Sequence, residues 1–309
     1  MARPRRHPGS GVAAKIKGRP SLRVNDNPFG VLQGVTRFWT PYTDRMRNLR
    51  LVGLVLALAC ALVTGRGCGR GQAGPGVTVL AASSLADALR EVAAAFTAEH
   101  AGVEVTLSFG ASNQLRTQLD NGVKADVFLS ADRRHVEGSK RVVDEASVRA
   151  FAANSLAVLV PSGNPGGVTG FGDLAKPGLR VLIANKAVPL GRATDEVLRR
   201  ARESAEFGSA FITAFEGNVV SLEQSASALA TKVSMGEVDA GIGYMSDGAS
   251  TRPLKVIALP EGIGQRTEYV AAVCTGSHDR VNAARFVEFL ASPKAAEILA
   301  RRGFEIPQP

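Results

Sequence analysis

Short apolar runs recur along this chain, and each is followed by a stretch whose apolar residues return every three or four positions. "VTVLAA" at 77–82 is continuous, as expected of a strand buried on both faces. After it Leu85, Ala88, Leu89, Val92, Ala93 and Phe96 fall on one face of a helix. "VEVTLSF" (103–109), a helix "SNQLRTQLDNG" closed by Gly122, and "ADVFLSA" (125–131) complete the series. Strand, helix, strand, helix, strand at this spacing predicts a parallel sheet with helices on both faces, and so an α/β fold.

A further strand is predicted at 155–161, stopped by Pro161, and a Gly/Pro loop follows. The second αβ series then comprises a strand at 179–184, helices at Gly191 to Ser204 and 207–215, and a short strand at Val219–Val220. A helix at 225–235 leads to strands at 239–245, 254–259 and 267–275, and helices at 279–291 and 293–302 finish the chain. Two αβ sheets with a cleft between them is the expected architecture.

The 309 residues are enough for two ordinary domains or one large one. The first 75 carry thirteen Lys/Arg against Asp26 and Asp44, more than the whole formal net charge of +9, so the body is slightly acidic. No nucleic-acid partner is expected of such a body. Met46 opens "MRNLRLVGLVLALACALVTGRGCG", two arginines before an apolar run from Leu51 to Val63. That run is short of the ~20 residues of a membrane span and matches a secretory signal. Residues 1–45 read as a basic extension that is either upstream of the true start or disordered, the alternative being a real arm ahead of an internal signal anchor. Residues 46–68 read as the signal peptide region and 69–76 as a Gly-rich tether. Cys60 and Cys68 are candidates for lipidation, and Cys274, within "YVAAVC", reads as a buried small hydrophobe. Three cysteines give no disulfide framework and no zinc site.

Four turns join strand to helix with small or hydroxylated residues: "AASSLAD" (81–87), "FGASNQL" (109–115), "AVPLGRA" (187–193) and "SLEQSASAL" (221–229). In an open α/β sheet such turns lie at the carboxyl ends of the strands, where ligands bind. Each helix start offers unpaired N–H groups and a partial positive charge. Ser84 and Ser112 can each donate a hydroxyl proton there, although a serine before a helix is more often an N-cap. Catalysis finds less support. His7, His100, His135 and His278 read as exposed and lack metal-ligand spacing, and neither a Gly-x-Ser-x-Gly elbow nor a phosphate loop with its lysine is present. Asp126 and Asp132 bracket a strand like paired carboxylates, but read better as a strand-entry residue and a helix cap.

With these residues on the page, five segments resemble, in order, the periplasmic molybdate-binding proteins of ABC transporters. They are "VTVLAASSLADALREVAAAF", "SFGASNQLRTQLDNGVKADVFLSAD", "VPLGRATDEVL", "GEVDAGIGYMSD" and "AAEILARRGFEIP". The resemblance covers 77–309. It implies a type II periplasmic-binding-protein fold, two αβ lobes joined by a two-strand hinge with a ligand cleft between them. Lobe 1 would be 77–158 with 268–309, lobe 2 159–267, and the hinge would lie near Ser155–Pro161 and Arg266–Val270. The implied ligand is molybdate or tungstate, held by neutral donors: the hydroxyls of Ser84 and Ser112, the backbone N–H groups of Leu190 and Ala226, and the Tyr244 phenol. Leu190 stands where the family more often has Ala, and Ala226 where it often has Val. Read from the residues alone, Tyr244 is equally an ordinary half-buried strand tyrosine.

The resemblance further implies that the metal is met only through molybdate oxygens, that there is no cofactor, and that the protein is a monomer delivering its ion to an ABC permease. It would be secreted across the cytoplasmic membrane, to be periplasmic or anchored outside as a lipoprotein. The alternatives are a binder of sulfate, phosphate or ferric ion on the same fold, an enzyme on a phosphorylated substrate, and a cytoplasmic sensor domain. A ferric site usually uses tyrosine pairs, and Tyr42, Tyr244 and Tyr269 are the only tyrosines.

Overall fold

The computed structural model describes residues 76–137 and 141–307, so the extension, signal and Cys60 and Cys68 assignments lie outside the described residues. The first half is built on β1 (Gly76–Ala82), β2 (Glu104–Gly110) and β3 (Val127–Ser130), all mutually parallel. Helix α1 (Ala86–Glu99) follows β1, and α2 (Ser112–Asp120) follows β2. The continuous apolar runs have the expected cause. Val79 and Ala81 enter one core beneath α1, whereas Leu80 between them enters a second core with Leu115 of α2. Phe128 and its neighbours Val127 and Leu129 divide in the same way, because successive side chains leave opposite faces of a strand. Gly122, at φ +88°, ends the α2 segment as its sequence implied.

Strand β4 (Arg149–Pro161) leads into the second half, which holds β5 (Val181–Ala184), α3 (Pro189–Glu203), α4 (Gly208–Asn218) and β6 (Val219–Glu223). It continues through α5 (Ala226–Ser234), β7 (Ala240–Tyr244) and β8 (Leu254–Ala258). Its core gathers Leu159, Leu182, Val197, Phe215, Leu229 and Ile242. Strand β9 (Arg266–Val273) then returns to the first half, and α6 (Arg280–Phe289) and α7 (Pro293–Arg301) close the chain against α1 and its core.

Two expectations change. The sheets are mixed rather than parallel: β9 runs antiparallel to β3 and β4, and β4 antiparallel to β7. β4 also begins at Arg149, well before the predicted 155. Its opening "RAFAAN" is rich in alanine, a weak strand former, and is held extended by its pairing with β9. The longer strand has a consequence for architecture. Residues 149–155 of β4 pair with β9 and residues 156–161 with β7 and β8, so one strand serves both sheets. All nine strands among the described residues are thereby connected, in the path β2-β1-β3-β9-β4-β7-β5-β6 with β8 beside β4.

Candidate functional site

All five residues singled out in the sequence line one small cavity, about 20 Å³, between the two halves. That exceeds the ~10–15 Å³ a single water needs and is far below the ~300 Å³ of a typical organic-ligand site. No charged side chain lines it.

Ser84 stands in the single 3₁₀ turn Ser83–Leu85 that leaves β1, and its side chain caps no helix. Its Oγ is instead 2.8 Å from the Oη of Tyr269. Ser112 opens α2 and is buried; it is no cap either. Its Oγ accepts the Ala131 backbone N–H at 3.1 Å, which leaves the serine's own proton to give.

Leu190 follows Pro189 in the first turn of α3, where Arg192 makes the first recorded bond, to the Val188 carbonyl. The proline has no N–H to contribute and presets the helical φ, so Leu190 offers the first backbone donor of this helix. Gly191 beside it lies so close to β5 that a side chain would strike the Asn185 and Ala184 carbonyls. Ala226 opens α5, whose cap is Ser225: the cap's Oγ accepts the Ala228 N–H at 3.1 Å. Ser225 and Ser83 also line the cavity, the former with its hydroxyl engaged in capping.

Tyr244 ends β7 and is 1 % exposed. Its Oη is buried and makes no hydrogen bond of acceptable geometry, with Thr267 and Tyr269 as its polar neighbours. A buried hydroxyl without a partner is costly. Burial, with Tyr269 alongside, pushes its phenol well above the ordinary tyrosine range, so it keeps its proton and can only serve as a neutral donor or acceptor.

Asp126 and Asp132 do not line the cavity. Asp126 is buried and ties segments together, accepting the N–H groups of Thr78 and His278 and the Ser277 hydroxyl, each at 2.8 Å. Asp132 caps a 3₁₀ turn through the Arg134 N–H and, less visible in sequence, receives Arg192 of α3 at 2.6 Å. Burial opposes the charge on Asp132, but Arg192, the Arg134 N–H and the two guanidinium charges prevail and hold its carboxyl below the usual range. His135, read as exposed, is half-buried with Nε2 2.7 Å from Arg192 Nη2; burial and that guanidinium lower its pKa. A larger opening of about 550 Å³ beside the cavity is lined by Asp132, Arg133, Arg192, Arg200, Glu196 and Glu268. Its arginines have carboxylate partners, Arg192 and Arg134 with Asp132, Arg133 with Glu268, Arg200 with Glu196, and Arg266, which also lines it, with Glu305. Among the described residues no group of three His, Cys, Asp or Glu could hold a metal ion.

The profile of the bacterial extracellular solute-binding protein family matches residues 77–305. The chain belongs to that family. This solute-binding protein is 33 % identical over 273 residues to the molybdate-binding protein ModA of Mycobacterium tuberculosis H37Rv, covering 84 % of this chain and 100 % of the relative. It is 32 % identical over 239 residues to ModA of Escherichia coli K12, covering 74 % and 89 %. Among solved structures it superposes on the Azotobacter vinelandii periplasmic molybdate-binding protein with a TM-score of 0.65 and 25 % identity, covering 75 % of this chain and all of that one. The fold is the two-lobe type II periplasmic-binding-protein fold, with β4 pairing in both sheets. Sequence reasoning missed Tyr269 and Arg192. Nothing local marks either, because their partners Ser84 and Asp132 lie far away in the chain.

Proposed function

We propose that this solute-binding protein captures molybdate, and with it tungstate, outside the cytoplasmic membrane and delivers it to an ABC permease. The observation that carries the reading is the convergence of Ser84, Ser112, Tyr244 and the helix starts at Leu190 and Ala226 on one uncharged cavity. Relatives named for molybdate binding support the choice of ion. A tetrahedral dianion stripped of water needs preformed donors, and helix N-termini supply a positive field without a lysine or arginine. Hydrogen bonds to a charged group contribute about 1.5–3 kcal/mol each. Five such bonds give about 7.5–15 kcal/mol gross, comparable to the roughly 8–12 kcal/mol of micromolar to nanomolar binding before desolvation and closure are met.

The lining offers hydroxyls and amides but no carboxylate, imidazole or amine to move a proton, which favours binding over catalysis. A site of donors alone leaves the O–H of partly protonated phosphate without an acceptor, and cavity size separates molybdate from the smaller sulfate. In this reading lobe 1 is 77–158 with 268–309, lobe 2 is 159–267, the chain acts as a monomer, and the segment 46–68 directs export.

Calorimetric titration of the purified protein against molybdate, tungstate, sulfate and phosphate tests it. Tight binding of the first two, with sulfate and phosphate weak, is expected. Sulfate or phosphate binding more tightly than molybdate would overturn the substrate, and no heat from any of the four would overturn the function.

A further inference from the structure

A serine hydroxyl has one proton to give, and around its C–O bond that proton can point in several directions. In Ser84 one direction is already occupied, since its Oγ lies 2.8 Å from Tyr269 Oη and one of the two hydroxyls must donate to the other. Tyr269 is fully buried on β9, opposite Ala152 of β4. Its ring meets Phe304 edge-on at 5.4 Å and 88°, and Phe151 at 6.5 Å and 72°, so the phenol oxygen is held in place from two sides. Burial pushes the phenol up to about 12, and the proton stays on it throughout the neutral range.

We propose that Tyr269 is a positioning residue for the anion site, its phenol holding the Ser84 hydroxyl so that the serine's proton points into the cavity. The inference rests on Ser84 being an anion ligand. When the serine gives its proton to an anion oxygen, the lone pair facing Tyr269 is filled by the phenol proton. Two hydrogen bonds then run in one direction, Tyr269 to Ser84 and Ser84 to the anion, and the first polarises the second. Without the phenol the serine rotor is free, and part of the binding free energy goes into ordering it. Tyr244 is a second polar neighbour of the Tyr269 phenol: the rings lie 6.3 Å apart at 62°, although the Tyr244 Oη makes no hydrogen bond of acceptable geometry.

The test is a double-mutant cycle in molybdate affinity with Tyr269→Phe, Ser84→Ala and the double variant, each checked by thermal melting. Tyr269→Phe keeps the ring and its packing. It should weaken binding about fivefold to twentyfold alone, and less than about twofold in the Ser84→Ala background, because the two residues act through one bond. An equal loss in both backgrounds would make Tyr269 a packing residue and overturn the inference, as would a Tyr269→Phe protein that binds normally. If Ser84→Ala binds as tightly as the unaltered protein, the ligand assignment of Ser84 fails and takes the inference with it. An unaltered protein silent to molybdate would instead refute the proposed function.

Discussion

Gly191→Ala tests whether the start of α3 is placed by its contact with β5. A Cβ at this position would run into the Asn185 carbonyl group and lie 2.7 Å from the Ala184 carbonyl oxygen. Ordinary contact begins near 3.5 Å, so the first turn of α3 must retreat from β5 by at least about 1 Å. The obstacle is backbone and cannot rotate aside as a side chain would. Overpacking of this kind costs about 1–3 kcal/mol of stability. The Leu190 N–H, proposed above as an anion donor, would be displaced with that turn and forfeit much of a charged hydrogen bond, about 1.5–3 kcal/mol. Molybdate affinity should therefore fall by about tenfold to a hundredfold, and the melting temperature by about 3–10 °C. Calorimetry and thermal melts with and without molybdate read both effects. A Gly191→Ala protein that binds normally and melts within about 1 °C of the unaltered one would refute this account of how the helix is placed.

Three further outcomes are expected. Ser112→Ala removes a hydroxyl from the cavity but leaves α2 without a lost cap; calorimetry should show affinity down by about tenfold to a hundredfold, with far-UV circular dichroism unchanged. Arg192→Ala severs the 2.6 Å bond to Asp132 beside the cavity, and stopped-flow release should be faster by about threefold to thirtyfold with little change in the association rate. Asp247 is buried, its Oδ2 accepts the Tyr244 N–H at 3.0 Å, and burial pushes its carboxyl up to about 6. A carboxyl raised in the folded state contributes stability that is complete below the unfolded value of 3.8 and lost as pH rises through about 6. Asp247→Asn keeps an acceptor for the Tyr244 N–H without the charge. It should therefore out-melt the unaltered protein at pH 7.5 but not at pH 4, and parallel melting curves across that range would exclude the linkage.

Strands packed on both faces were easy to recognise in the sequence, because the apolar residues of β1 and β3 had a core to enter on one side or the other. The first half of β4 was not, since its extended form comes from β9, a partner more than a hundred residues away. Among the site residues, the serines were visible through their turns, but their local chemistry favoured a different role. Neither Ser84 nor Ser112 caps its helix, because Leu85 and Ala111 occupy the cap positions, and the serine oxygens meet the Tyr269 phenol and the Ala131 N–H instead. The aspartate beside the "FLSA" strand shows the reverse: Asp132 is the cap it was expected to be and also a partner for Arg192, which only the folded chain brings near. Contacts made within a turn are legible in sequence, whereas those between turns await the fold.

The path of β4 also sets an order of assembly. The second half leaves the first through the end of β4 and re-enters through β9, so it is nested inside its neighbour in chain order. A polypeptide emerging amino-terminus first makes β1, β2 and β3 early, yet the open edge of β3 must wait for β9. The nested half, from β5 to β8, has all its own strands before then. The half that starts first therefore finishes last, and that bare strand edge stays open to wrong partners until β9, close to the end of the chain, arrives.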